Sequence, residues 1–200
     1  MSDLTTLRDI VGLGNAASPI SDSALVIIDA QNTYREGVMK LDGVEPALEE
    51  CKALLERFRA AGRPVFHIQH DAGEGSPYDL NAPIGQIAAV VAPVAGEPVI
   101  TKNVPSSFAQ TDLDEQLKKA GIQNLILAGF MSHMCVNSTA RAAFTLGYNP
   151  TVVASATATR ALPSKASGKV VPADQVQEAA LAALSDLPSA VVPSAADVPD

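Results

Sequence analysis

Short apolar runs that stop at a polar residue, each followed by a stretch with helical spacing, recur along this chain and leave few folds open to it. Residues 24–28 (ALVII) are continuously apolar and end at Asp29, the pattern of a strand covered on both faces, as parallel sheets require. Beyond Val44, the positions Ala47, Leu48, Cys51, Leu54, Leu55 and Phe58 follow three-four spacing, and Gly62 is placed to end that helix. Residues 64–69, 98–102, 124–129, 151–154 and 190–192 supply further strands. A helix capped by Thr111 and opened by Asp112, Asp114 and Glu115 is predicted to close at Gly121. Two more helices are predicted, from about Met134 to Leu146 and from Ala173 to Ser185. This alternation predicts an α/β fold of three layers around a mainly parallel, doubly wound sheet. No linker divides the chain, so residues 1–200 read as one domain. Residues 71–83 and 155–172 read as loops near the carboxyl edge of the sheet, and the tail after Val192 as mobile unless a partner holds it.

Composition narrows the function. Twenty-two acidic against fourteen basic residues give a formal charge of −8, a poor match for a phosphate backbone, so nucleic acid is not an expected partner. Two cysteines, Cys51 and Cys135, offer one possible bridge and no ligand cluster, which favours a reducing compartment. The opening MSDLTTLRDI has neither the basic start nor the apolar stretch of a leader, and no run approaches the ~20 apolar residues of a membrane span. The expectation is a cytoplasmic protein without membrane partners, a homo-oligomer (dimer or tetramer) acting on a small molecule.

In an open parallel sheet the ligand crevice lies outside the carboxyl ends of the strands. Asp29 follows the first strand, His70 the second, Lys102 ends the third, and Cys135 stands six residues past the fourth, at the expected helix start. A thiol there feels the positive end of the helix dipole, and a nearby ammonium lowers its pKa further, which predicts titration below the ~8.5 of a free thiol. Cys135 would be the nucleophile, Asp29 the proton shuttle and Lys102 the electrostatic support: covalent acyl transfer. Taken singly, Cys135 also reads as a small core residue, Asp29 as a cap and Lys102 as a surface charge; their joint placement at strand ends favours chemistry.

The segments Asp29-Ala-Gln-Asn-Thr-Tyr34, Val99-Ile-Thr-Lys102 and Gly129-Phe-Met-Ser-His-Met-Cys135-Val-Asn-Ser-Thr-Ala-Arg141 resemble the isochorismatase-like cysteine hydrolases, the group that contains nicotinamidases and carbamoylsarcosine amidases. The resemblance implies an Asp29–Lys102–Cys135 triad, a cis peptide between Phe130 and Met131, and an oxyanion hole on the backbone amides of Met131 and Cys135. The Asp-x-His pair of the metal-dependent nicotinamidases is absent, which disfavours nicotinamide, and Ser132 replaces the usual threonine before the nucleophile. The reading is a cofactor-free, metal-free amidohydrolase cleaving a small amide, urea or carbamoyl compound through a thioester. The alternatives are an isochorismatase-type hydrolase of a small carboxylate, and a non-catalytic binding or thiol-responsive protein on the same scaffold.

His67 and His70 are three apart on a strand and point to opposite faces, so they do not share an ion. The run Gly12-Leu-Gly14-Asn-Ala-Ala17 matches a dinucleotide fingerprint without the preceding buried strand that motif needs. Cys51 lies on the apolar stripe of its helix and reads as core. Gln31, Tyr34, His70, Tyr78, Phe130, Met131 and His133 are the candidates for lining a substrate pocket.

Overall fold

Six parallel strands make the middle layer, and their order decides where chemistry can sit. The computed structural model describes residues 4–200; the first three residues of the opening segment lie outside the described residues. The strands are β1 (Ser23–Ile28), β2 (Val65–His70), β3 (Val99–Lys102), β4 (Asn124–Phe130), β5 (Asn149–Ala158) and, after the short β6 (Leu162–Pro163) and β7 (Val170–Val171), β8 (Ala190–Val192). The sheet runs β3-β2-β1-β4-β5-β8, so the chain builds outward from β1 in one direction and then returns to build from β4 in the other. The crevice of such a sheet opens where that direction reverses, outside the carboxyl ends of β1 and β4.

Every residue of β1 is buried, as its unbroken apolar run predicts. Helix α2 (Val44–Ala60) covers one face of the sheet through Ala47, Leu48, Cys51, Leu54, Leu55 and Phe58. Helices α3 (Leu113–Lys119), α4 (Asn137–Thr145) and α5 (Ala173–Ser185) lie on the other side, where Leu113, Leu117, Ala140, Ala143, Leu181 and Leu184 join the second core. A four-residue helix, α1 (Leu7–Ile10), precedes β1. The Gly12–Gly14 run follows α1, and the Gly14 carbonyl accepts from Arg8 Nε at 2.7 Å, so it does not link a strand to a helix. Gly129 allows β1 and β4 to approach: it sits at φ +113°, and a Cβ there would stand 2.0 Å from the Ile28 carbonyl oxygen.

Four expectations are corrected. Residues 155–172 are not one loop. After a register shift, β5 continues to pair with β4 through Thr157 and Ala158, and β6 and β7 form a hairpin. The small side chains of this stretch hid a buried strand. The helix expected from Met134 begins as a π-helical turn, Ser132–Val136, and becomes α-helical at Asn137. Asp112, not Thr111, is the N-cap of α3. The tail is held by its own chain: Arg57 donates to the Val198 carbonyl and to Asp200 Oδ1, and the Ile20 amide donates to the Pro199 carbonyl.

His67 is a buried structural residue. Its Nε2 hydrogen-bonds Glu97 Oε2 at 2.9 Å, and Arg59 grips both oxygens of the same carboxylate. Burial works against the Glu97 charge, but Arg59, the Val94 amide and His67 outweigh it and lower the carboxyl to about 2. A carboxyl depressed in the folded state stabilises above its unfolded pKa, and that stabilisation is lost as pH falls through the folded value. Glu97→Gln should therefore destabilise the protein by about 2–3 kcal/mol at neutral pH. The gap to the wild type should narrow below pH ~4.5 and nearly close by pH ~2, which denaturant melts across that range would read.

Candidate active site

Three strand ends and one turn deliver the chemical groups. Asp29 is the first residue past β1 and sits at φ 50°, a left-handed conformation that side chains other than glycine seldom adopt. Its amide donates to the Ile68 carbonyl at 2.9 Å, which ties that bend to the end of β2. Lys102 ends β3 in register with His70 on β2. Cys135 lies on the π-helical turn after β4, and the peptide bond leading into that turn, Phe130–Met131, is cis, as the family resemblance implies.

The Lys102 ammonium organises the site. It lies 2.7 Å from Asp29 Oδ2, 3.4 Å from Cys135 Sγ and 3.1 Å from His70 Nδ1. The Asp29 and Lys102 side chains are both 0% exposed. In the Asp29 contact the ammonium both pairs with the carboxylate and donates to it, and Oδ1 of the same carboxylate has no partner. That oxygen is free to accept a proton.

The electrostatics correct one expectation. Burial raises the Cys135 thiol to about 12, the Asp29 carboxylate pushes it further up, and Lys102 draws it back only in part. Burial also raises the Asp29 carboxyl, opposed by Lys102. Cys135 thus rests as a protonated thiol beside a carboxylate, not as the thiolate expected from a helix start. Isolation from water outweighs the helix dipole here. Cys51 is fully buried and also raised to about 12, by burial and then by Glu50.

The candidate pocket residues divide by role. Tyr34 is buried, meets Phe130 with ring centroids 5.6 Å apart and Tyr78 at 5.8 Å, and stays protonated through burial and the Asp29 charge. Phe130 is fully buried behind it and backs the wall instead of lining it. Gln31 is not free to bind substrate. Both hydrogens of its amide are taken, by the carbonyls of His70 at 2.9 Å and Gly85 at 2.6 Å, and its oxygen accepts from the His70 amide. His70 and Tyr78 are partly exposed and meet edge-on at 4.9 Å. His133 is also partly exposed, with Nδ1 2.6 Å from Thr159 Oγ1. Met131 is buried.

Arg160 was missed. It stands two residues past β5, at the same carboxyl edge, and its charge reaches both Tyr78 and His133. Its Nε is buried without a hydrogen-bond partner, and none of the ion pairs among the described residues includes it. Ending the fifth strand at Ala154 put Arg160 inside a loop; drawn to Ala158, the strand places it where strand-end residues are read as functional. Among the described residues, no group of three His, Cys, Asp or Glu side chains is arranged to hold a metal. His67 and His70 serve Glu97 and Lys102 on separate sides of the strand.

Comparison with known proteins agrees with this geometry. The Isochorismatase domain model matches residues 23–195. The secreted isochorismatase effector Isc1 of Verticillium dahliae is 35% identical over 96% of this chain and 98% of its own length. The ureidoacrylate amidohydrolase RutB of Stutzerimonas stutzeri is 31% identical over 70% of this chain and 71% of its own. The crystal structure of an isochorismatase from Pseudomonas putida superposes with a TM-score of 0.92 at 37% identity, covering 96% of this chain and 98% of that one. One of these relatives is secreted, and no helix among the described residues is long and apolar enough to cross a membrane. A model match across most of the chain, joined to a buried Asp–Lys–Cys cluster at the sheet's reversal point, makes this chain a member of the isochorismatase family.

Proposed function

We propose that this protein is a cysteine-dependent amidohydrolase that cleaves a carbon–nitrogen bond in a small amide, urea or carbamoyl compound bearing a negative charge. The observation that carries the reading is the buried Lys102 ammonium in contact with both the Asp29 carboxylate and the Cys135 sulfur. Cys135 attacks the substrate carbonyl while its proton passes to Asp29, and the backbone amides of Met131 and Cys135 take the developing oxyanion. Asp29 returns the proton to the departing nitrogen as the carbon–nitrogen bond breaks, leaving a thioester. Water, deprotonated by Asp29, attacks the thioester; the acid leaves and the thiol regains its proton. Lys102 keeps the site neutral with Asp29 ionised, and favours negative charge on sulfur in flight.

Arg160 supplies the substrate's charge preference. A guanidinium two residues past β5, with a buried Nε that lacks a hydrogen-bond partner and a charge that reaches Tyr78 and His133, is matched by a carboxylate, which takes paired N–H donors. The name of the 31%-identical amidohydrolase, which states a ureido acid as substrate, fits the same chemistry. A free nucleophilic thiol suits a reducing compartment.

A screen for ammonia release from amides, ureas and carbamoyl compounds, each with and without a carboxylate, tests the assignment. Turnover should be confined to the charged members. Arg160→Gln should raise KM for them by about ten- to a hundredfold with a smaller change in kcat. Equal turnover of neutral analogues would refute the anion preference.

Asp29→Asn separates the two effects of that carboxylate. Removing its charge takes away one cause of the raised thiol pKa while Lys102 stays, so the midpoint for iodoacetamide alkylation of Cys135 should move down. Hydrolysis should nevertheless fall on the order of 10³-fold, because the proton shuttle is gone. Turnover within tenfold of wild type in Asp29→Asn, or any thioester-free turnover in Cys135→Ala, would overturn the acyl-enzyme mechanism.

A further inference from the structure

An ammonium group has three hydrogens to donate and no lone pair to accept with. Lys102 is 1% exposed, so water is not there to take what protein leaves over, and its three polar neighbours are Asp29 Oδ2, Cys135 Sγ and His70 Nδ1. Two of these belong to the chemistry just described. The third does not, and it must accept as well: Nδ1 of His70 has to present a lone pair to Lys102. In a neutral imidazole this places the ring proton on Nε2.

The rest of the chain holds His70 in that role. The Gln31 side chain accepts from the His70 amide and donates to its carbonyl, both at 2.9 Å, so the backbone is clasped at the point where β2 ends. Donation from Gln31 to the Gly85 carbonyl anchors the clasp to the following loop. Tyr78, brought in by the 71–83 segment, packs against the imidazole edge-on at 4.9 Å and sets the ring plane. The groups with charge facing the ring are Lys102 and the neighbouring Asp71; burial and the Lys102 charge hold His70 down to about 4, against Asp71. An imidazolium would set two cations 3.1 Å apart and leave Lys102 one acceptor short.

We propose that His70 is a positioning residue: as the Nε2–H tautomer it accepts the third Lys102 hydrogen on Nδ1 and so fixes the ammonium between Asp29 and Cys135. Gln31 supports it by holding its backbone. The charge that Lys102 lends to sulfur in flight depends on this anchor, because an ammonium with an unmatched hydrogen in a dry site moves toward whatever acceptor it can reach. This role serves the proposed amidohydrolase chemistry, but it can be measured in the resting protein with no substrate, so failure of either reading is told apart from failure of the other.

Nitrogen-15 NMR of the imidazoles in the wild-type protein at neutral pH reads the tautomer directly, with the His70 signals identified by their loss in His70→Asn. The expected result is a proton on Nε2 and none on Nδ1; a protonated Nδ1 overturns the proposal. Alkylation of Cys135 by iodoacetamide, followed by peptide mass spectrometry, reads the anchor. His70→Phe keeps the ring packing on Tyr78 and removes the acceptor, and should slow alkylation about tenfold. His70→Asn places an oxygen at the Nδ1 position and should restore the rate to within about threefold of wild type. Once a substrate is in hand, the loss in His70→Phe should fall on kcat more than on KM. Equal alkylation in the Phe variant and the wild type, or an Asn variant as slow as the Phe variant, would show that Nδ1 does not hold Lys102.

Discussion

A positive charge sealed inside the protein is the constraint on which the rest of the site depends. Taking an ammonium out of water costs several kcal/mol unless its charge is balanced and each hydrogen finds an acceptor. Around Lys102 those acceptors come from three separate stretches of chain: the residue after β1, the last residue of β2 and the turn after β4. The strand ends must therefore arrive at one point in one register. The pairing of His70 with Lys102 across β2 and β3, and of Ile28 with Gly129 across β1 and β4, is the register that achieves it. Gly129 is part of the same requirement, since only the residue without a Cβ lets β4 come close enough to β1.

Most of this was legible in the sequence because strand burial and strand ends both leave marks. The unbroken apolar run of β1, the three-four stripe of α2 and the strand-end positions of Asp29, His70, Lys102 and Cys135 required only periodicity and the rule that ligands meet parallel sheets at their carboxyl edge. What was not legible depended on contacts between distant segments. Residues 155–158 are small and carry no apolar pattern, yet they continue β5 because β4 offers a paired edge after its register shift. Misplacing that end hid Arg160. Gln31 looked like a pocket residue by position alone; only the backbone groups of His70 and Gly85 reveal that its amide is already spent. The tail is held by the Arg57 guanidinium from α2, some 140 residues away in sequence, a contact that no local signal announces.

The thiol shows why position does not by itself fix reactivity. A turn entering a helix lowers a cysteine pKa through its dipole, but the dipole term is at most ~2 kcal/mol and is outweighed when the sulfur is buried beside a carboxylate. Burial raises both Asp29 and Cys135, and Lys102 opposes it at each. The proton is thus kept on sulfur at rest, and in the proposed reaction it leaves only when a carbonyl carbon is in place to share the charge. A nucleophile of this kind is protected at rest from oxidants and alkylating agents that act on the thiolate.

That same neutrality places a demand on the mouth of the crevice. Asp29 and Lys102 cancel, Cys135 is uncharged, and His70 and His133 are both pushed toward their neutral forms by burial and by nearby cations. The Asp29–Lys102–Cys135 cluster therefore offers an anion no attraction, and a chain of formal charge −8 repels one at long range. Within a Debye length of ~8 Å at physiological salt, a single guanidinium at the rim outweighs that diffuse repulsion. Arg160, in none of the ion pairs among the described residues and with a charge that reaches Tyr78 and His133, is placed to do so. In the proposed reaction, selection for charge thus sits past β5's end, apart from the groups assigned to bond breaking after β1, on β3 and on the turn after β4, so Arg160→Gln is expected to change the charge preference without disturbing the balance around Lys102.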